Sequence, residues 1–223
     1  FAPCIDLDYV VSAVSGDRAY HRDPEVVSRL AVACMQGMRT AGMAATAKHF
    51  PGHGAVVADS HKALPVDRRP LTELTDELLP YRRMIANGLT SVMVAHVLFP
   101  EVDEAPAGFS ARWIQQELRW GLGFTGAVFS DDLSMGGAAF AGTVPERARR
   151  AIEAGCDLLP ICNDRPAVLA TLTELEGAAD PLSQVRLVRL HGRPMPAREQ
   201  LRKTAQWAEC QRAIDRCRDA PSL

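Results

Sequence analysis

The sequence lacks the long apolar run that a membrane-spanning helix requires. No stretch approaches the roughly 18 consecutive apolar residues of such a helix, and no charged and then apolar leader opens the chain. Like charges are not gathered into a stripe or a tail, and the net charge is -2. Composition therefore gives no support to nucleic-acid or membrane-surface binding. We expect a cytoplasmic protein whose partner is a small polar molecule.

Paired cysteine motifs are also absent. No CxxC pair occurs, and the spacing matches neither a metal finger nor a disulfide framework. The six cysteines are Cys4, Cys34, Cys156, Cys162, Cys210 and Cys217. We interpret them as small buried hydrophobes of a protein in a reducing compartment.

Five short apolar runs alternate with segments of helical period. The runs are FAPCIDL, GMAATAKHF, LTSVMVAHV, TGAVFSDD and CDLLPICN. A short strand, a polar loop and then a helix is the pattern of βα units with parallel strands. The C-terminal part adds a polar loop and a long amphipathic helix, which we expect to pack on the outside.

Capping residues predict where several helices begin and end. Asp23 and Pro24 suit the start of a helix that Gly42 ends. By the same reasoning Pro80 opens the helix that Gly88 closes. Val27, Leu30, Ala31, Cys34 and Met38 form the predicted apolar stripe of the first helix.

Four of the five runs end in chemically reactive side chains. These are Asp6 and Asp8, Lys48 and His49, His96, and Asp131 with Asp132. An open doubly wound sheet and a barrel both fit the runs, but catalytic groups at several strand ends favour a TIM-type (βα)₈ barrel. No linker divides the chain, so we expect a single catalytic domain over residues 1–223. A barrel has eight strands, and this chain opens inside a strand-like run, so we expect the last five βα units, with the N-terminal strands missing.

The run TGAVFSDD leads directly from a strand into Asp131 and Asp132. A carboxylate fixed at the end of a barrel strand can attack a sugar carbon or stabilise a developing cation. One of the two aspartates could instead cap the next helix while the other is solvated. The strand-end position favours a functional role.

The stretch KHFPGHGAVVADSH, residues 48–61, holds three histidines. His49 and His53 are four residues apart, but the intervening proline and glycine exclude the helix on which that spacing would build a zinc site. Asp59 and His61 are two apart, so the carboxylate can orient the imidazole as an acid/base group. A solvated polar loop is the alternative.

Three further side chains suit the mouth of a barrel. Arg18 follows the first run and presents a planar fork suited to sugar hydroxyls or carboxylates, although a surface arginine is equally consistent. Lys48 ends an apolar strand and should face a polar cavity, because a buried ammonium is costly. His96 also ends a strand, and the sequence assigns it no role beyond lining the mouth.

Taken together, these motifs resemble a known family. KHFPGHG, ADSHK, AHV and GAVFSDDLSM, in this order, are similar to the β-N-acetylglucosaminidases of glycoside hydrolase family 3, of the bacterial NagZ type. The resemblance extends from FAPCIDLD through GDRAYHRDP and AGCDLLPICN to the C-terminal helix. It therefore covers essentially the whole chain.

The resemblance implies a role for individual residues. Asp131 would be the nucleophile, His61 the proton donor and acceptor, and Asp59 its partner. Arg18, Lys48 and His49 would hold the amino sugar, and Asp132 would be a neighbour that does not attack. His53 would serve loop structure.

The resemblance also implies an activity. The substrate would be a terminal β-linked N-acetylglucosamine on anhydro-muropeptides recovered from peptidoglycan, hydrolysed by a monomer without metal or organic cofactor. The family carries a DQEGGR-like motif that is not in this sequence, so we expect the chain alone to be inactive. A β-glucosidase of the same family, a metal-dependent amidohydrolase using His49, His53 and His61, and a sugar-binding protein without catalysis are the alternatives.

Overall fold

A three-stranded parallel sheet lies at the centre of the fold. The computed structural model describes residues 1–12, 14–177 and 180–218. Its strands are β1 (Thr46–Phe50), β2 (Ser91–Val94) and β3 (Ala127–Ser130), arranged in the order β1-β2-β3. The three strands are in register at their first residues. Their carboxyl ends therefore share one edge of the sheet.

Helices connect the three strands and continue along the chain after β3. They are α1 (Pro24–Thr40), α2 (Thr75–Ala86), a π helix (Arg112–Gly121), α3 (Val144–Ala154), α4 (Arg165–Glu174), α5 (Pro181–Val188), α6 (Arg198–Leu201) and α7 (Ala205–Arg218). Short 3₁₀ helices span Gly16–Arg18, Leu71–Glu73, Ala107–Phe109 and Gly136–Ala141. Each strand is followed by a helix before the next strand begins, so the predicted α/β class is confirmed.

Local capping explains several helix boundaries. The Asp23 side chain accepts a hydrogen bond from the amide of Glu25 at the start of α1, as predicted. Thr143 and Glu146 form a reciprocal capping box at the start of α3. Gly155, with a φ of 114°, ends that helix in the left-handed region that glycine tolerates.

One helix prediction was wrong, and another is confirmed only in part. Pro80 does not open a helix but lies inside α2, which already begins at Thr75. Proline removes one backbone donor, and the burial of Leu78 and Met84 keeps the helix continuous. In α1, Val27 and Ala31 of the predicted stripe are buried and Met38 packs against the core, but Leu30 is 46% exposed and Met35 is buried in its place.

The prediction of five βα units is not confirmed. The first apolar run lies beside β1 and is hydrogen-bonded to it, but its strand pairing is one isolated parallel bridge, between Cys4 and Lys48. The fifth run lies beside β3 and is hydrogen-bonded to it in the same way, with one isolated parallel bridge between Phe129 and Leu158. Pro3 and Pro160 lie in these runs and lack the N–H that a strand ladder uses. Both runs therefore flank the sheet without forming strands.

Aromatic side chains form the centre of the core. Phe50 at the end of β1 packs edge-on against Tyr81 of α2 and Trp113 of the π helix, with ring centroids 5.1 and 5.9 Å apart. Trp113 also lies 5.1 Å from Phe99. All four side chains are essentially inaccessible to solvent. This cluster fixes the ends of β1 and β2 against the helices behind them.

The chain divides into two compact units, residues 1–191 and 192–223. The second unit contains α6 and α7, and α7 (Ala205–Arg218) is the longer helix of the predicted C-terminal segment. A single catalytic domain over residues 1–223 stays a prediction. Among the helices described, we find none with the length and apolar character needed to cross a membrane.

Candidate active site

Polar side chains gather where the three strands end. His49 lies in β1, His96 follows β2, and Asp131 follows β3. The amide of Asp131 donates to the carbonyl of Val94 (3.1 Å), and His96 Nε2 lies 3.2 Å from the carbonyl oxygen of Asp132. The carboxyl ends of β2 and β3 are thus held together, as expected for neighbouring parallel strands.

Asp6 is the centre of this polar cluster. Its carboxylate is buried and accepts five hydrogen bonds. Oδ1 accepts from the amides of His49 (3.1 Å) and His53 (2.9 Å). Oδ2 accepts from Cys4 Sγ (3.4 Å) and Ser15 Oγ (3.2 Å), and lies 2.7 Å from His49 Nδ1. One carboxylate therefore joins the loop after the first run to the end of β1 and to the bend that follows it.

The Asp6–His49 pair is an ion pair inside the protein. Burial acts to lower the pKa of His49, but the charge of Asp6 and its hydrogen bond outweigh burial and raise that pKa to about 10. Burial acts to raise the pKa of Asp6, and His49 holds it well below its usual range. The negative charge of Asp131 further favours protonated His49. At neutral pH His49 is an imidazolium.

His53 is buried in the Pro/Gly bend, as expected for a structural residue. Its Nε2 lies 2.9 Å from Ser60 Oγ, and burial lowers its pKa. The bend passes so close to the first run that a Cβ on Gly54 would lie 1.9 Å from the carbonyl oxygen of Leu7. Only glycine permits this approach.

Asp59 and His61 form the pair that their spacing predicts. Asp59 Oδ1 lies 2.8 Å from His61 Nδ1 and accepts a hydrogen bond from the His61 amide (2.9 Å). These hydrogen bonds from His61 lower the pKa of Asp59. The His61 side chain is 62% exposed. Because Nδ1 faces the carboxylate, Nε2 is the nitrogen available for proton transfer.

The loop that carries His61 is docked on the turn that follows Asp131. Gly136 N–H donates to the carbonyl of His61 (3.0 Å), and Gly137 N–H donates to the carbonyl of Ser60 (2.9 Å). A Cβ on Gly136 would lie 2.6 Å from the Lys62 carbonyl oxygen, and one on Gly137 would lie 2.8 Å from that of Ser60. The two segments can approach this closely only because both positions are glycine.

The adjacent aspartates differ in how fully they are engaged. Asp132 accepts hydrogen bonds from the amides of Ser134 (2.9 Å) and Cys162 (3.0 Å) and from Ser134 Oγ. Burial acts to raise the pKa of Asp132, but these bonds lower it. The side chain of Asp131 accepts one hydrogen bond within the described chain, from the Asp132 amide to Oδ1. Asp132 shapes the turn, while Asp131 keeps an oxygen free for chemistry.

His96 is fully buried and stacks on Phe109, with ring centroids 5.3 Å apart. Burial lowers its pKa. Its Nδ1 has no hydrogen-bond partner within the part of the chain described. His96 is therefore an uncharged side chain that lines the site next to Asp131 and Asp132.

Among the described residues, the side chains of two predicted sugar-binding residues, Arg18 and Lys48, make no hydrogen bond to the Asp6 cluster. Arg18 is exposed at the end of a 3₁₀ helix, and its guanidinium donates to the carbonyl of Val14. Ser15, in the same loop, donates to Asp6. Lys48 is half-buried in β1, next to His49. Lys48 is thus adjacent to the Asp6–His49 pair, while Arg18 lies three residues beyond Ser15 in the loop that contacts Asp6.

The three histidines do not form a shared metal-ligand group. His49 pairs with Asp6, His53 with Ser60, and the exposed His61 with Asp59. Within residues 1–12, 14–177 and 180–218, the one group of metal-ligating side chains contains Cys4, Asp6 and His49. The geometry therefore does not support an amidohydrolase built on His49, His53 and His61.

Asp6 is the residue whose importance sequence reasoning missed. It lies at the end of the first apolar run, and its position in the sequence predicts no particular role. Its partners His49 and His53 are 43 and 47 residues away. The sequence does carry one signal for it: a carboxylate within an apolar run is costly to bury unless it has hydrogen-bonding or charged partners.

A parallel α/β sheet with carboxylate and imidazole groups at one edge is the arrangement of an enzyme site at strand ends. Residues 1–188 match the Glycosyl hydrolase family 3 N terminal domain. The chain belongs to this family.

Relatives and solved structures agree with the family. A Beta-hexosaminidase of Thioalkalivibrio sulfidiphilus is 49% identical over 223 residues, which are 100% of this chain and 64% of that protein. A Beta-hexosaminidase of Thiobacillus denitrificans is 52% identical over 94% of this chain and 59% of its own length. The chain thus spans less than two thirds of these relatives. NagZ from Neisseria gonorrhoeae in complex with N-trifluoroacetyl-D-glucosamine superposes with a TM-score of 0.84 at 43% identity, covering 96% of this chain and 62% of that one.

Proposed function

We propose that the protein is a retaining β-N-acetylglucosaminidase. Its substrate is a terminal β-linked N-acetylglucosamine on anhydro-muropeptides, and it works as a cytoplasmic monomer in peptidoglycan recycling without a cofactor. Relatives named Beta-hexosaminidase at 49% and 52% identity support this assignment. The N-acetylated sugar analogue bound by the Neisseria gonorrhoeae protein supports the substrate class.

The domain is proposed to be a (βα)₈ barrel, to which this chain contributes five consecutive βα segments. Three parallel strands in sequential order support a barrel wall. The bridges at Cys4 and Leu158 place a further segment on each side of these strands. The polar cluster at the carboxyl edge is where a barrel of this type has its active site.

One observation carries the catalytic proposal: the His61 loop is hydrogen-bonded to the turn that begins at Asp131. The two bonds, from Gly136 and Gly137, fix an imidazole and a free carboxylate oxygen at the same edge of the sheet. A retaining hydrolysis needs a nucleophile on one face of the sugar and a proton donor for the leaving oxygen. Asp131 and His61 supply these two groups.

In the first step, an oxygen of Asp131 attacks the anomeric carbon, and the bond from that carbon to the glycosidic oxygen breaks. His61 Nε2 gives its proton to the departing oxygen, and Asp59 stabilises the orientation of the ring through Nδ1. Water then attacks the glycosyl ester, giving its proton to His61 and releasing Asp131. Arg18, Lys48 and the His49 imidazolium hold the sugar.

The proton-donor role is tested by comparing leaving groups. In the protein, expressed with any further residues that its gene encodes, His61→Ala should lower kcat/KM for a substrate with a poor leaving group by about 10²–10⁴-fold. An aryl substrate whose phenol leaves without protonation should lose much less in the first step. His191→Ala, an exposed histidine in the same unit, is the matched control. Equal losses on both substrates would contradict the role of His61.

Substrate and stereochemistry tests separate this proposal from its alternatives. Aryl N-acetyl-β-glucosaminide should be hydrolysed in preference to the aryl β-glucoside, and the sugar released first should be the β anomer. Preference for the glucoside would indicate a β-glucosidase. Binding of N-acetylglucosamine without turnover would indicate a sugar-binding protein.

A further inference from the structure

His96 is a buried histidine to which the proposed reaction gives no step. Its side chain is inaccessible to solvent, and burial lowers its pKa, so the imidazole is uncharged. Nε2 lies 3.2 Å from the carbonyl oxygen of Asp132. Because a carbonyl oxygen can only accept, Nε2 carries the proton of the neutral ring, and Nδ1 is an acceptor without a proton.

The second ring nitrogen makes histidine a poor choice for packing alone. Nδ1 is buried, and no group in the described part of the chain donates to it. A Cβ on Gly108 would lie 3.2 Å from this nitrogen, so the backbone packs closely against it. A buried acceptor without a partner lowers stability, and a hydrocarbon side chain of similar size would not introduce one. The advantage of histidine at this position must therefore come from Nε2.

The hydrogen bond from Nε2 joins the end of β2 to the turn that begins at the proposed nucleophile. His96 follows β2, and its partner Asp132 lies 36 residues further along the chain, just after β3. The amide of Asp132 donates in turn to Asp131 Oδ1, at 2.8 Å. Asp132 thus accepts a hydrogen bond from His96 and gives one to the carboxylate of Asp131.

Packing holds the ring at this position. The imidazole stacks on Phe109, in the segment after β2, with an angle of 13° between the rings. Phe109 packs edge-on against Phe140, in the segment after β3, with ring centroids 5.4 Å apart. In that second segment, a Cβ on Gly137 would lie 3.3 Å from His96 Cβ. His96 therefore lies between the two segments, and a displacement of its ring would displace the turn.

We propose that His96 is a positioning residue for hydrolysis: through its bond to Asp132 it fixes the amide that orients the carboxylate of Asp131. The Asp132 carbonyl also accepts from the amide of Met135, at 3.1 Å, but that bond lies within the turn and moves with it. His96 instead ties the carbonyl to the segment after β2. This role rests on the proposed glycosidase function, because it acts on the proposed nucleophile.

Stability and activity together separate positioning from a structural role. In the protein with any further residues that its gene encodes, His96→Leu removes the unpaired acceptor and leaves the Asp132 carbonyl its bond from Met135. Its Tm should be no more than about 3 °C below that of the unaltered protein, while kcat/KM should fall by about tenfold or more. His96→Gln, whose side-chain N–H can take the place of Nε2–H, should keep kcat/KM within about threefold. His191→Leu, at an exposed histidine, is the control and should change neither quantity.

The leaving group identifies the residue through which His96 acts. His96→Leu should lose a similar factor in kcat/KM with an activated aryl substrate and with a poor leaving group, because both reactions need the nucleophile. A loss confined to the poor leaving group would indicate an effect on His61 and would overturn the proposal.

Three further results would also overturn it: near-normal activity of His96→Leu, equal losses for His96→Leu and His96→Gln, or a large fall in Tm that accompanies the loss of activity. If the unaltered protein hydrolyses neither substrate, the proposed glycosidase function fails and this role fails with it. If the unaltered protein and His96→Leu are equally active, the role of His96 alone is wrong.

Discussion

Replacing Asp6 with asparagine should destabilise the protein strongly. The side chain accepts five hydrogen bonds in a buried site, and Asp6→Asn removes the charge that His49 faces. Removing one partner of a buried ion pair costs about 3–5 kcal/mol. For a chain of this length that corresponds to a decrease in Tm of roughly 6–20 °C.

The pH dependence identifies the ion pair as the cause. The pKa of His49 rises from 6.5 to about 10 on folding, so its stabilising contribution is complete below pH 6.5 and is lost as the pH rises toward 10. The difference in free energy of unfolding between the unaltered protein and Asp6→Asn should therefore shrink by up to about 1.4 kcal/mol per pH unit between pH 6.5 and pH 10. The pKa of Asp6 is lowered on folding, so its contribution is present above about pH 4.

Urea unfolding at pH 6 and pH 9 measures both the loss of stability and its pH dependence. Tryptophan fluorescence reports the unfolding, since Trp113 is buried in the core. Asp8→Asn is the matched control, because Asp8 lies in the same run and caps the amide of Val10 near the surface. It should change stability by no more than about 0.5 kcal/mol. The ion-pair explanation is refuted if Asp6→Asn matches Asp8→Asn, or if its effect is the same at both pH values.

Two further predictions concern the supports of the site. Gly137→Ala places a methyl group 2.8 Å from the Ser60 carbonyl oxygen. It should displace the His61 loop and lower kcat/KM by about 10²-fold. Gly37→Ala is the control, because the space around this position of α1 is open, and it should leave steady-state kinetics unchanged. Equal kinetics for both variants would refute the claim that contact with Gly137 positions the His61 loop. Asp157→Ala removes the buried partner of two arginines, at 2.9 and 2.8 Å, and should cost about 3–5 kcal/mol in urea unfolding. Glu117→Gln, in a more exposed pair at 3.6 Å, should cost less than about 1 kcal/mol, and similar losses for the two would contradict the burial argument.

Local features were predictable from sequence because their causes are local. The cap at Asp23 and the Asp59–His61 pair each depend on residues a few positions apart. Pro80 misled the prediction because tertiary packing of its neighbours keeps the helix intact.

The parts that could not be predicted depend on long-range contacts. Asp6 meets His49 across 43 residues, and the His61 loop meets Gly136 across 75. Strand-end position indicated that these groups share one edge, but not which atoms touch. A sequence also does not distinguish a full strand from a run that pairs at one residue, as at Cys4.

The covalent intermediate on Asp131 is the central claim, and it can be observed directly. The protein, with any further residues that its gene encodes, is incubated with a fluorinated N-acetylglucosaminyl substrate whose intermediate hydrolyses slowly, then digested and analysed by mass spectrometry. We predict one sugar adduct, on the peptide that contains Asp131, and none in Asp131→Asn, which should also lose turnover. Near-normal kinetics of Asp131→Asn, or an adduct on a different residue, would contradict the account.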